Sequence, residues 1–394
     1  MEFDPSSDEF FADPHKSYRR LRAESPVYYN SELDFYALTR HADVAQAYRD
    51  YSTYSSAHGY DLAMVKSGDV PPNLILLMDP PEHRRMRGLV SRAFTPRAIS
   101  ALRETVASLV EKYLSTADPR RFDVVQDFSA PFPVEVIAHM AGVPTESRQR
   151  LRLLAEEIMR HRAGDEVDEA FTTALLEAFA FYHNLVQQRR EQPSDDMIST
   201  LVGAEMMREG GEVTSLDDLE IASFAMLLGG AGAVTVTKVV SSAVALLAQH
   251  PDQWQLLLDD RTKIGGAVEE VLRFDGPVLY NVRYTLKEVT LQGVTIPPGR
   301  PVLLCTAAAN RDPDAFRDPD IFDIDRDRAG AQHLGLGYGI HSCLGAALGR
   351  MESAVALDHL LDFMPNYEVI WEDCVRVNSS NEAGWSHLPV RVLP

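Results

Sequence analysis

The stretch Gly335-Leu336-Gly337-Tyr338-Gly339-Ile340-His341-Ser342-Cys343-Leu344-Gly345, running on through Ala346-Ala347-Leu348-Gly349-Arg350-Met351-Glu352, governs how the rest of the chain reads. Glycines at three alternate positions permit backbone angles that side chains disfavour, and a cysteine then stands where a helical pattern begins. Amides at a helix start, aided by the helix dipole, favour a thiolate over a neutral thiol. The other cysteines, Cys305 and Cys374, complete neither a zinc-like spacing nor a disulfide framework, so any special cysteine acts alone. A lone thiolate held by donors suits one axial metal bond, the arrangement that haem iron uses.

Composition bounds the setting. The 394 residues are 45% hydrophobic, enough for one large core or two lobes. No repeat, low-complexity tract or clear linker divides them, which reads as a single domain over residues 1–394. Met1-Glu2-Phe3-Asp4-Pro5 lacks a leader pattern, and the most apolar run, Ile221 to Val234, is too short to span a bilayer. A soluble, cytoplasmic protein without a membrane partner is expected. The formal net charge of -20 argues against nucleic acid as a partner. Against that acidity, Arg84, Arg85, Arg87, Arg92 and Arg97 form a stripe whose nearest acid is Glu82. It reads either as a docking face for an acidic partner or as a solvated helix face.

Helical patterns dominate, over Pro14 to Glu24, His41 to Arg49, Glu82 to Phe94, Arg97 to Leu114, Pro133 to Met140 and Ser147 to Gln187. Strand-like pieces are few, and they include Asp34 to Thr39, Val289 to Thr295 and Val302 to Leu304. A mainly α fold follows. One further helix is expected from Leu216 to His250, capped by Thr214 and stopped by Pro251, far longer than the usual roughly 11 to 12 residues. Its middle, Leu228-Gly229-Gly230-Ala231-Gly232-Ala233-Val234-Thr235, carries three glycines that cost about 1 kcal/mol each against alanine. Close approach of a flat ligand, a local opening of the hydrogen-bond ladder, or a glycine-lined helix crossing would offset that cost.

The cysteine stretch resembles the loop Phe-Gly-x-Gly-x-His-x-Cys-x-Gly of the cytochrome P450 superfamily. Gly337, Gly339, His341, Cys343 and Gly345 match, and Leu336 stands in place of the phenylalanine. Other segments match in the same order, so the resemblance covers nearly the whole chain. It implies a cytochrome P450 fold, a large helical lobe with a smaller β-rich lobe around a buried haem b. Cys343 would be the iron ligand, with Leu336, Gly337 and Gly345 beside it. Glu270-Val271-Leu272-Arg273 taken alone reads as an ordinary surface pair; here it resembles the family's buried ion pair, completed by an arginine between Asn310 and Arg326, with a structural role. His83 and Arg87, four residues apart, can reach one anionic object. The resemblance makes them contacts to the haem propionates, with Arg283 and His341 as further ones. Ala231-Gly232-Ala233-Val234-Thr235 resembles the oxygen-binding pattern Ala-Gly-x-(Asp or Glu)-Thr. Ala231 and Gly232 would then pass beside the cofactor and Thr235 would handle dioxygen, but Val234 replaces the usual acid.

The resemblance also implies a substrate pocket built from Ser56 to Leu77, the helices between Ser147 and Gln187, the middle of the long helix, Val278 to Val282 and the turn Gly384 to Leu388. Phe224, Leu228, Val278, Leu279, Tyr280 and Trp385 would line it, with polar accents from Asn281, Ser386 and His387. Each reads equally well as plain core. The lining suits a medium-sized, largely apolar molecule. The expected activity is monooxygenation by dioxygen, a hydroxylation or epoxidation in secondary metabolism as in the soluble actinobacterial branch. Electrons would come from a ferredoxin and its reductase, docked on the arginine stripe. Val234 also leaves room for oxidative coupling or cyclisation without oxygen insertion, and a non-catalytic haem sensor is the reading from another class.

Overall fold

The computed structural model describes residues 3–160, 168–207, 210–379 and 381–394. Residues 161–167 of the segment read as helical and as pocket wall lie outside them, as do Met1 and Glu2 of the segment read for a leader. Two compact units divide the chain, each assembled from separate segments.

The first unit takes residues 1–70, 241–343 and 374–386. Its centre is a five-stranded sheet in the order Val27–Asn30, Phe35–Leu38, Pro301–Leu304, Asn281–Thr285, Tyr54–Ser55. The pairs are antiparallel except that Pro301–Leu304 runs parallel to Phe35–Leu38. Alternation along each strand sends side chains to both faces, and both faces are buried. Phe35, Ala37 and Leu303 join a cluster with Phe3, Phe10 and Tyr18, whereas Tyr36, Leu38, Val302 and Leu304 join another with Val44, Tyr48 and Leu334. That second cluster seats the helix His41–Arg49 beside the start of the cysteine loop.

The second unit takes residues 71–240, 344–373 and 387–394 and is mostly helical. Its main helices are Glu82–Val90, Arg103–Thr116, Pro131–Ala141, Thr145–Arg160, Glu169–Glu191 and Ala346–Phe363. A small sheet orders Tyr367–Val369, Pro389–Val392 and Phe122–Asp123.

The long helix runs over Asp218–Gln249, 32 residues, and Pro251 follows its end. It is long and apolar enough to cross a membrane, yet 72% of its most apolar window is buried inside the protein. Its start differs from expectation. Thr214 belongs to a strand, Val213–Ser215, and the cap is a reciprocal box instead: Glu220 N–H donates to the Asp217 carboxylate (2.8 Å) and Asp217 N–H donates to the Glu220 carboxylate (3.0 Å). Helix crossing accounts for two of the three glycines. A Cβ on Gly229 would lie 2.4 Å from the Tyr182 hydroxyl, and one on Gly232 would lie 3.0 Å from Ile137.

Three further readings are corrected. Val289 to Thr295 is not one strand but a hairpin, Val289–Leu291 against Val294–Ile296, turned by Gln292 and Gly293 at φ 48° and 79°. Arg97 to Leu114 divides into Pro96–Ala101 and Arg103–Thr116, and Ser147 to Gln187 divides into Thr145–Arg160 and Glu169–Glu191. Strands are also more numerous than the few expected. Each is at most six residues long, too short for a period of two to stand out from neighbouring loops.

Candidate active site

Backbone contacts fix the cysteine loop inside the first unit. Leu334 N–H donates to the Asn310 side-chain oxygen (2.6 Å), Gly337 N–H to the Leu334 carbonyl (2.8 Å), and Cys343 N–H to the Leu336 carbonyl (2.8 Å). Gly337 and Gly339 take φ of 68° and 70°, the left-handed region in which other residues are strained. A Cβ on Gly335 would lie 2.4 Å from the Leu272 carbonyl oxygen, and one on Gly339 would lie 2.4 Å from that of Tyr48. The loop is thus wedged between the ends of two helices, Ile264–Phe274 and His41–Arg49. The following helix starts at Ala346 with Gly345 as its N-cap, so Cys343 precedes the helix by two residues instead of opening it. Cys343 is exposed, while Cys305 is fully buried among aromatics, where burial pushes its thiol far above the usual range.

Glu270 and Arg273 form no surface pair: both are almost wholly buried. Arg273 donates to both Glu270 oxygens (2.8 and 2.7 Å) and to the carbonyls of Asn310, Pro319 and Ile321. Arg326 supplies the third member, its Nε 3.1 Å from both Glu270 oxygens, and Asp323 N–H adds another bond to the same carboxylate. Every acceptor is occupied, which is what permits a buried charge. The network pins Asn310, which in turn holds Leu334 where the cysteine loop begins.

Arg283 is buried on the strand Asn281–Thr285, its guanidinium 5.7 Å from the centre of the Tyr48 ring. His341 closes a short 3-10 turn, Gly339–His341, within the loop.

In the second unit, His83 and Arg87 share the helix Glu82–Val90. His83 is 2% exposed, and burial, followed by the positive charge of Arg87, lowers its pKa to about 4. A carboxylate arriving there would be welcome on both counts. The stripe of arginines is shorter than the sequence suggested. Arg85 is paired with Glu220 and Glu82 and donates to the Ser215 carbonyl, and Arg92 donates to the Glu205 carbonyl. Their partners lie more than a hundred residues away in sequence, except Glu82, so the consumption of these charges was not visible locally. Arg84, Arg92 and Arg97 remain exposed.

On the long helix, the Thr235 hydroxyl donates to the Ala231 carbonyl one turn back (2.9 Å). Ala231 is exposed, and Val234 is half-buried. Thr237 faces elsewhere, as expected, donating to the carbonyls of Ser129 and Ala233.

Several expected pocket residues are core. Leu279 and Tyr280 belong to the aromatic cluster of Phe3, Phe10 and Tyr18, on the segment that leads into the strand Asn281–Thr285. Phe224 is 3% exposed and meets Phe94 edge-on. The Asn281 amide donates to the Tyr48 hydroxyl (2.8 Å), Ser386 donates to the Val375 carbonyl, and His387 pairs with Asp123. Leu228, Val278 and Trp385 stay half-buried. Val278 bridges Glu382, and the Trp385 ring lies 4.8 Å from the Arg376 guanidinium. Sequence reasoning missed Tyr48, which carries no motif and is found only through its three-dimensional contacts.

Fold and cysteine loop together define a haem-thiolate protein of the cytochrome P450 kind. The family model "Cytochrome P450" matches residues 257–370. Cytochrome P450 130 of Mycobacterium tuberculosis is 38% identical over 93% of this chain and 92% of its own length. The vitamin D(3) 25-hydroxylase of Pseudonocardia autotrophica is 35% identical over 98% and 96%. Among solved structures, P450BioI in complex with a hexadec-9Z-enoic acid-ligated acyl carrier protein superposes at a TM-score of 0.87, with 31% identity over 98% of this chain and 99% of that one. The chain belongs to the cytochrome P450 family and is a monooxygenase. The family's cofactor is a haem bound through a thiolate, and the residues present fit it. Among the described residues no group of three or more His, Cys, Asp or Glu is placed to hold a metal ion. The one exposed cysteine, on a backbone-clamped loop, suits a metal whose other ligands come with its own macrocycle.

Proposed function

We propose that this protein binds haem b through Cys343 and uses dioxygen to hydroxylate or epoxidise a medium-sized, largely apolar molecule of secondary metabolism. The observation that carries the reading is the exposed Cys343 on a loop whose glycines are pressed against the Leu272 and Tyr48 carbonyls. Bound there, the haem would supply the activation of oxygen. Leu336, Gly337 and Gly345 would form the bed around the thiolate. His83, Arg87, Arg283 and His341 would hold the propionates by charge-assisted hydrogen bonds. Ala231 and Gly232 would pass beside the cofactor. Thr235, whose proton is held by the Ala231 carbonyl, would present oxygen lone pairs as an acceptor. Leu228, Val278 and Trp385 remain as the lining that would orient the substrate and exclude water. Residues 1–394 would work as one cytoplasmic domain. Electrons would come from a ferredoxin and its reductase, with Arg84, Arg92 and Arg97 the exposed remnant of the docking stripe.

A second reading, oxidative coupling or cyclisation without oxygen insertion, draws on Val234 together with the Thr235 hydroxyl turned back on its own helix. Both weaken proton supply. Screening apolar compounds by the spin-state shift of the haem band identifies a substrate. Turnover under labelled dioxygen then decides: label in the product supports insertion, and an unlabelled, coupled product overturns it.

A further inference from the structure

Tyr48 lies in the last turn of the helix His41–Arg49 and touches the candidate site through its carbonyl, its ring and its hydroxyl. Its carbonyl oxygen is the atom that forbids a side chain on Gly339. Its ring lies beneath the Arg283 guanidinium at 5.7 Å, within the range at which an aromatic face attracts a cation. Its hydroxyl accepts from the Asn281 amide (2.8 Å) and lies 2.7 Å from the Thr306 hydroxyl. Thr306 can pass its own proton to the Leu304 carbonyl, so each hydroxyl donates once and the chain closes. The neighbouring Arg49 reinforces the same joint by donating to the Tyr338 hydroxyl and stacking over that ring at 4.6 Å.

We propose that Tyr48 is a positioning residue that holds the Arg283 guanidinium and the Cys343 loop in one register. The proposal rests on the haem reading above. A carboxylate in place of Tyr48 would neutralise Arg283, whereas a ring orients the guanidinium and leaves its positive charge intact for a propionate. The hydroxyl fixes the ring by tying it to Asn281, the first residue of the Arg283 strand, and to Thr306, which follows the neighbouring strand Pro301–Leu304. Without it, the charge facing the cofactor edge and the loop carrying the thiolate would move independently.

The test uses the full-length, haem-loaded protein and reads haem release to an excess of a haem-scavenging apoprotein, together with the midpoint potential. Tyr48→Leu is expected to release haem about fivefold faster, the equivalent of losing one cation–π contact near the distance limit of its range. In an Arg283→Leu background the same change should add nothing, because the two residues act as one unit. Tyr48→Phe keeps the ring and loses only the hydroxyl, so it should release haem about twofold faster and show a lower midpoint potential. An equal acceleration by Tyr48→Leu with and without Arg283 would assign Tyr48 to general core packing and overturn the proposal. So would a Tyr48→Phe protein identical to wild type in release and potential, which decides the matter even if Tyr48→Leu does not fold. A protein that takes up no haem, or whose ferrous carbon monoxide complex lacks a thiolate-type Soret band, ends the haem reading and this one together. Normal haem loading with unresponsive Tyr48 variants ends this one alone.

Discussion

In the cysteine loop, a side chain on Gly335 or Gly339 would strike a backbone carbonyl, and Gly337 and Gly339 need positive φ. In the long helix, Gly229 and Gly232 keep helical geometry, and what they would strike is a tyrosine hydroxyl and an isoleucine side chain. Backbone cannot retreat without unmaking the helices it belongs to, whereas the tip of a side chain can change rotamer. The loop is therefore a fixed device, set by two helix ends and a buried ion network. The helix is an adjustable one, and it is there that Val234 departs from the family pattern.

That contrast is broken most severely from the loop side. Cys343→Ser is expected to abolish turnover and the thiolate-type Soret band of the ferrous carbon monoxide complex while the fold persists, which absorption and circular dichroism will show. Next in size, Glu270→Gln leaves Arg273 and Arg326 without their shared carboxylate and should cost about 3–5 kcal/mol in urea unfolding. Arg273→Lys should not be much milder, since one ammonium cannot serve the carboxylate and three carbonyls together.

A pH effect separates the second unit's cationic helix from both. His83 has its pKa held at about 4, below the ordinary 6.5, so folding favours the neutral ring. Its contribution is complete above pH about 6.5 and is lost as pH falls toward 4, because the unfolded chain takes up the proton first. Haem-free protein should therefore lose up to about 3 kcal/mol from this residue across that window, at about 1.4 kcal/mol per pKa unit. The slope should flatten in His83→Gln and, if a propionate sits beside His83, in the haem-loaded protein. Urea titrations at pH 7 and 4.5 measure it. The smallest change expected sharpens the helix side: Val234→Glu should lower peroxide released per electron pair roughly severalfold by restoring an acid before Thr235. Unchanged leakage would show that protons reach Thr235 by another path.

Local patterns carried much of this into the sequence. The glycine-cysteine loop, the Glu270–Arg273 spacing and the long apolar helix each depend on residues within a few turns of one another. The box of Asp217 and Glu220 was legible too, at its characteristic spacing of three, although Thr214 was preferred. Other features had no local signature. Leu279 and Tyr280 are buried against Phe3, Phe10 and Tyr18, which lie far away in sequence. Arg85 lost its solvent-facing role to Glu220, 135 residues away.

By itself, then, the amino-acid order pointed to the family, to Cys343 as the candidate ligand and to the place of the missing acid, since these reside in short runs whose chemistry does not depend on distant partners. Only the tertiary structure decided which glycines are clamped by backbone, that Arg85 is paired with Glu220, and that the Tyr48 ring lies against Arg283. Those are matters of contact between segments far apart in the chain. Burial and hydrogen-bond geometry at such contacts exist only once the chain has closed on itself.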